Sequence, residues 1–156
     1  MRRKDREIID RKKMKEIIGG CHCCRLGLCD DGAPYIVPLS FGYVCEEGTD
    51  RFYFHSAKEG RKLDLIRKNP KVGFELDTNY RLNEAEIACG YSARFQSVIG
   101  TGTMRIVTES EEKKKGLRAL MDHTADPRDW EFSREMLEAV CVLELTVESM
   151  TCKEHL

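Results

Sequence analysis

Two turn signals set only a few residues from β-rich runs constrain this chain more than any other feature. The segment CHCCRLGLCDDGAPYIVPLSFGYVC (residues 21–45) places one β-rich run on each side of Asp31-Gly32, a dipeptide suited to a tight antiparallel hairpin. Pro34 and Pro38 have no N–H to give to a ladder, which assigns each to a strand start, an edge or a bulge. Residues 46–50 (EEGTD) form the second turn. After it, RFYFHS alternates Phe52 and Phe54 with Arg51, Tyr53 and His55 and reads as a third strand. Connections this short join antiparallel strands, because a parallel pair needs a crossover of about a dozen residues or more.

The rest of the chain extends the pattern. Residues 4–18 predict an opening helix ended by Gly19-Gly20. Residues 58–70 (KEGRKLDLIRKNP) predict a short helix stopped by Asn69-Pro70. Residues 71–76 predict a strand, 77–86 a polar loop, and 88–107 a long β segment in which Gly100 and Gly102 permit bulges or sharp curvature. Residues 109–122 predict a helix with acids first and bases later, as its dipole favours. A short helix over 130–138, a closing strand over 140–147 and a tail over 148–156 complete the reading. About six antiparallel strands in so short a chain, with helices at the margins, predict a mainly β fold closed into a small barrel.

Composition bounds the function. A chain of 156 residues is a prior for one domain, here 1–156. Its 26 basic and 27 acidic residues leave a formal charge of -1, which argues against a nucleic-acid partner. No apolar run approaches the roughly 20 residues of a membrane span, and the charged opening MRRKDREIIDRKKMKEII is unlike a signal peptide. The expectation is a soluble, cytoplasmic protein with no membrane partner. Gly100-Thr101-Gly102 is a lone GxG without a third glycine or a following helix, and no Walker loop, HExxH or GxSxG occurs.

Eight cysteines stand out, and without an export signal they are expected as thiols. Cys21 and Cys24 form a CxxC around His22, yet no second close pair exists to complete a zinc site. Cys21, Cys23 and Cys29 share odd numbers, so a strand would set all three on one face as small apolar residues. The packing reading is favoured over a metal or redox role, and no metal is assigned.

The chemistry concentrates in FYFHSAKEGRKLDLIRKNP, residues 52–70. A strand ends in His55-Ser56-Ala57, a turn holds Gly60, and a helix opens on Arg61-Lys62. A hydroxyl, free helix-start N–H groups and two cations within eight residues suit a phosphate. A solvated basic helix is the plainer alternative for the same residues.

The stretches MRRKDREI, PYIVPLSFGY, FYFHSAKEGRKLDLIRKNPKV and FQSVIGTGTMRIV occur in an order and spacing that resemble one group over approximately residues 1–150. The chain resembles the pyridoxamine 5'-phosphate oxidase-related, FMN-binding split-barrel proteins, and among them the NimA-like branch named for nitroimidazole resistance. The resemblance implies a six-stranded antiparallel split β-barrel of Greek-key type, dimeric, with FMN at the subunit interface. It implies that His55, Ser56 and Ala57 run along the flavin and its phosphoribityl chain, and that Lys62 binds the phosphate, aided by Lys58 and Arg61. Pro38, Leu39, Ser40 and Phe41 would present backbone to the flavin ring, and Gln96 and Ser97 would reach the cofactor in part from the other subunit. His55 is the implied catalytic residue, since histidine exchanges protons near neutral pH. Cys152 stands where the family usually carries a glycine before its lysine, and the further phosphate-binding residues of pyridoxamine phosphate oxidases proper are absent.

The reading is therefore an FMN-dependent oxidoreductase, a homodimer that passes electrons from a reductant such as NADH or NADPH to a small acceptor such as a nitroaromatic. Two alternatives stand beside it. One is a flavin-, haem- or deazaflavin-binding protein with little turnover, and the other is a thiol or metal redox sensor at Cys21–Cys24.

Overall fold

A computed structural model describes residues 3–156; Met1 and Arg2, the start of the first quoted motif, lie outside the described residues. The elements run in order: β1 (Glu7–Ile8), α1 (Arg11–Gly19), β2 (Cys24–Asp30), β3 (Ala33–Leu39), β4 (Gly42–Glu46), β5 (Thr49–Ser56), α2 (Arg61–Lys68), β6 (Lys71–Asn83), β7 (Ser92–Val107), α3 (Ser110–Thr124), α4 (Arg134–Ala139) and β8 (Cys141–His155). One antiparallel sheet holds them in the order β3-β2-β6-β7-β8-β5-β4, with β1 paired to β8. The ends of that path, β3 and β4, are consecutive in sequence and do not pair, so the sheet curls into a barrel that is split between them.

The mainly β class and the antiparallel split barrel hold, with eight strands instead of six. The extra strands have specific causes. The run after Asp31-Gly32 divides at Ser40-Phe41, which carries the chain from one end of the sheet to the other. The expected opening helix is three pieces: a 3-10 turn at Lys4–Arg6, the short β1, and α1. Asp10 caps α1 by accepting the Lys12 N–H at 2.9 Å, which moves the helix start past Ile8.

Residues 77–83 are strand, not loop, since β6 continues to Asn83 beside β7. Their exposure on both faces removes the alternation that marks a half-buried strand. The tail is strand as well: β8 runs to His155, paired with β7 on one side and β1 on the other. The helix expected over 130–138 contracts to α4, capped by Ser133, which accepts the Met136 N–H at 3.2 Å.

The Asp31-Gly32 and Glu47-Gly48 turns close their hairpins as expected, all four residues at positive φ. Pro34 and Pro38 lie on β3, the sheet's edge. The β7–β8 ladder shifts register between Thr101 and Gly102, within the glycine pair expected to permit it.

Phe41, Phe52, Phe54, Leu143 and Leu145 fill the barrel, with Phe52 5.5 Å from Phe41 and 5.1 Å from Phe74 between ring centroids. Such tilted pairs contribute about 0.5–1.5 kcal/mol each beyond the burial of area. The even-numbered Cys24, Leu26 and Leu28 face this core, and Cys29 is exposed. The odd-number grouping of Cys21, Cys23 and Cys29 therefore fails, because β2 begins only at Cys24 and Cys21 lies in the connection before it.

One buried acid ties α1 to the β4–β5 hairpin. Asp50, 8% exposed, takes two hydrogen bonds from Arg11 Nη2 at 2.7 and 2.6 Å and one from the Tyr43 hydroxyl. Burial pushes its pKa up, but the bonds from Arg11 and Tyr43 outweigh burial and hold it below the usual carboxylate value of 3.8. A depressed acid stabilises the fold above its unfolded pKa and loses that contribution as pH falls through the folded one. Asp50→Asn is expected to lower stability at pH 7, and the gap to wild type should shrink when urea unfolding is repeated near pH 3. A gap of constant size would contradict the assignment.

Candidate functional site

β5 leaves the core at His55-Ser56. Phe54 and its cross-strand partner Leu143 face the barrel interior, while His55 and Val142, one step on, face the other way. His55 is exposed, and its ring has no hydrogen-bond partner among the described residues. Ala57, Lys58 and Glu59 follow as an exposed link. Gly60 then takes φ 134° and ψ 162°, a conformation closed to residues with a Cβ, and its carbonyl accepts the Leu63 N–H at 2.9 Å to start α2.

No side chain caps that helix start, so the Arg61 and Lys62 N–H groups have no partner among the described residues. Beside them the two cations behave differently. Arg61 is committed: Nε donates to Asp30 Oδ2 at 3.1 Å, and its guanidinium lies 4.5 Å from the Tyr35 ring centre, pinning α2 to the β2–β3 hairpin. Lys68 does the same through Asp31. Lys62 is half-buried near Cys141, the residue opposite Ser56, and makes no ion pair among the described residues. Burial pushes its pKa down, which is the signature of a cation without its counter-ion. An uncapped helix start and an unpaired, half-buried ammonium fit an anion such as a phosphate.

Residues 38–41 carry the chain from the end of β3 into β4, the neighbour of β5. Gly42 faces Tyr53 across β4–β5, so the chain entering β4 passes the exit of β5. Pro38 and Ser40 are exposed, Leu39 is half-buried, and Phe41 is fully buried with its ring 4.2 Å from that of His123.

Gln96 and Ser97 lie elsewhere. They pair with Glu154 and Lys153 near the end of β8, whereas His55 and Ser56 pair with Val142 and Cys141 at its start. About twelve residues of strand, on the order of 40 Å of path, separate the two groups within one chain. The side chains of Gln96 and Ser97 also point to opposite faces of β7. Gln96 is held on both sides: Asn79 Nδ2 donates to its Oε1 at 2.6 Å, and its Nε2 donates to Glu154 Oε2 at 2.5 Å. Glu154, nearly buried, also pairs with Lys13 of α1. Sequence reasoning missed this clamp because register, not spacing, brings 79, 96 and 154 together.

On the outer face of β3, β2, β6 and β7 the register sets residues in cross-strand rows. Ile36, Gly27, Gly73 and Thr101 form one cross-strand row, and Pro38, Arg25, Glu75 and Ile99 the next. Ile36 and Ile99 are 63% and 57% exposed, and Arg25 is paired with both Glu75 and Asp77. Exposed isoleucines over bare glycine backbone leave an apolar surface open.

The CxxC offers no reactive thiol. Cys21 and Cys24 are both buried, and burial pushes the Cys21 thiol up to about 12 and the Cys24 thiol further up. A thiol held protonated is a poor nucleophile and ligand. Among the described residues no three His, Cys, Asp or Glu side chains are grouped to hold a metal ion, and no helix is long and apolar enough to cross a membrane.

Comparison with known proteins adds a family. A model of the family described as pyridoxamine 5'-phosphate oxidase matches residues 10–154. A 5-nitroimidazole antibiotic resistance protein of Bacteroides thetaiotaomicron, so described provisionally, is similar in structure, with a TM-score of 0.81 at 29% identity over 95% of this chain and 86% of that one. The flavocytochrome Anf3 of Azotobacter vinelandii superposes with a TM-score of 0.81 at 22% identity, covering 100% of this chain and 72% of that one. An FAD- and haem-binding protein of Mycobacterium smegmatis gives 0.79 at 20%, over 96% and 73%. These last two share the fold. An uncharacterised protein of Rhizobium meliloti is 30% identical over 95 residues, 61% of this chain and 53% of its own length, so the match spans about half of that curated relative.

Proposed function

We propose that this chain, which belongs to the pyridoxamine 5'-phosphate oxidase family, is an FMN-dependent oxidoreductase that works as a homodimer. The observation that carries the reading is Lys62: a half-buried ammonium without a counter-ion, set beside an uncapped helix start. A flavin phosphate supplies the missing charge there. Arg61, spent on Asp30, shapes the site through α2 more than it binds. The flavocytochrome and the FAD- and haem-binding protein named above support a flavin as the ligand.

Two features support the homodimer. The Lys62 and Gln96 groups sit at opposite ends of β8, so a second copy is the route by which both reach one cofactor. The face carrying Ile36, Pro38 and Ile99 exposes apolar side chains beside the paired Arg25, Glu75 and Asp77, which suits a self-complementary interface. FMN bound at this place supplies a carrier that takes electrons from NADH, NADPH or another reductant and yields them to a small acceptor, with a nitroaromatic as the class to test first. The chain's own part is to hold the phosphate at Lys62, to lay Pro38–Phe41 backbone along the ring, to fix Gln96 through Glu154 and Asn79, and to offer the free ring of His55 for proton transfer.

The test is oxidation of NADH or NADPH by the FMN-loaded protein, followed with and without a nitroaromatic acceptor. Acceptor-dependent turnover is expected, and His55→Gln should lower kcat by about a hundredfold while shifting FMN affinity far less. A flavin-loaded protein that turns over no acceptor with either nucleotide would replace the enzyme reading with that of a flavin carrier.

A further inference from the structure

The β6–β7 hairpin carries a cationic feature that the flavin site does not use. Past the irregularity between Thr78 and Arg81, where Asn79 takes a φ of 56°, the ladder resumes with Arg81 directly opposite Arg94. Like charges placed so repel and weaken the strand pair. Several arginines on the sheet and beside it are matched to acids: Arg25 to Glu75 and Asp77, Arg61 to Asp30, Arg105 to Glu112 and Glu144. Arg81 makes no ion pair or side-chain hydrogen bond among the described residues, and Arg94 spends only its Nε, on the neutral Asn83 Oδ1 at 2.8 Å. The two open onto a cavity of about 210 Å³ shared with Asn79, Phe95, Gln96, His155 and Leu156; no Asp or Glu side chain stands in its wall, and the Leu156 carboxylate forms no ion pair with either arginine. That space is below the roughly 300 Å³ at which drug-sized pockets begin, so it suits a small polar group and part of what bears it.

We propose that Arg81 and Arg94 form an oxyanion subsite that holds the carboxylate or phosphate of a small acid next to Gln96. Two opposed guanidinium groups present planar N–H pairs that match an oxyanion from both strands, and the bound charge cancels their repulsion. The subsite stands on the hairpin geometry. Only its place beside the flavin, where it would select acidic electron donors or acceptors, rests on the function proposed above.

The experiment uses the FMN-loaded protein, so that the Lys62 site is filled, and titrates it with inorganic phosphate and, separately, with benzoate at constant ionic strength. Binding is read from the NMR shifts of the arginine Nε–Hε groups and of the amides of residues 79–96. Saturable shifts centred on Arg81 and Arg94 are expected, weakened about tenfold or more in R81Q and in R94Q, with melting temperature in ligand-free buffer unchanged or raised in both. The ligand with the tighter saturation identifies phosphate or carboxylate as the natural group. Shifts that do not saturate, or that are the same in wild type and both variants, overturn the subsite. Phosphate binding here in a protein that takes up no FMN supports the subsite and defeats the flavin reading alone.

Discussion

Lys62→Ala is expected to weaken FMN binding ten- to a hundredfold. Hydrogen bonds to charged groups contribute about 1.5–3 kcal/mol, and each 1.4 kcal/mol is tenfold in affinity. The choice of Lys62 over its neighbours is structural. Arg61 is bonded to Asp30 and stacked on Tyr35, Lys58 is exposed, and Lys62 alone among the three is half-buried without a partner. Cys24→Ala changes a core thiol and no charge, so it should leave FMN affinity near that of wild type. Equilibrium dialysis of FMN against the two variants measures this. Equal losses in both would remove the phosphate from α2.

Gly42→Ala is expected to damage the fold itself. A methyl group added at Gly42 would stand 2.3 Å from the Ala119 carbonyl carbon and 2.3 Å from the Leu120 nitrogen, because the backbone of α3 lies directly on β4. Neither atom is the end of a flexible side chain, so the helix must move. Overpacking of this kind costs about 1–3 kcal/mol, and a helix forced off its strand lies at the upper end. For a chain of this size that is a fall of roughly 5–10 °C in Tm. Thermal unfolding followed by circular dichroism measures it, with Gly19→Ala, where nothing lies within 4 Å of the added carbon, as the control. A Gly42→Ala protein as stable as wild type would mean that α3 does not pack so closely.

Much of the barrel is legible in the sequence because its signals are local. Asp31-Gly32, the Pro34 and Pro38 edge, the Phe52/Phe54 alternation and the Asn69-Pro70 stop each act within a few residues. What is hidden depends on pairing. Residues 77–83 and 148–155 are polar enough to read as loop and tail, yet each is strand because a neighbouring strand holds it. Glu154 illustrates the reason: an inward-facing carboxylate breaks the apolar alternation, and only Lys13 and Gln96, far away in sequence, make it tolerable. The His55–Lys62 segment is legible as an anion site from its residue types. The sequence is silent on which cation is free and which is spent, since that turns on Asp30 arriving beside Arg61 from another hairpin. The opposition of Arg81 and Arg94 is likewise a matter of register.

The central claim is that this chain carries FMN at Lys62 and its surroundings. The most direct measurement is the visible absorbance spectrum of the protein purified without added cofactor, followed by denaturation and identification of the chromophore released. The account predicts flavin bands and FMN at about one per chain, or the same stoichiometry after FMN is added to a protein that lost it on purification. A protein that stays colourless after FMN is added, or that releases haem or a deazaflavin instead, would contradict it.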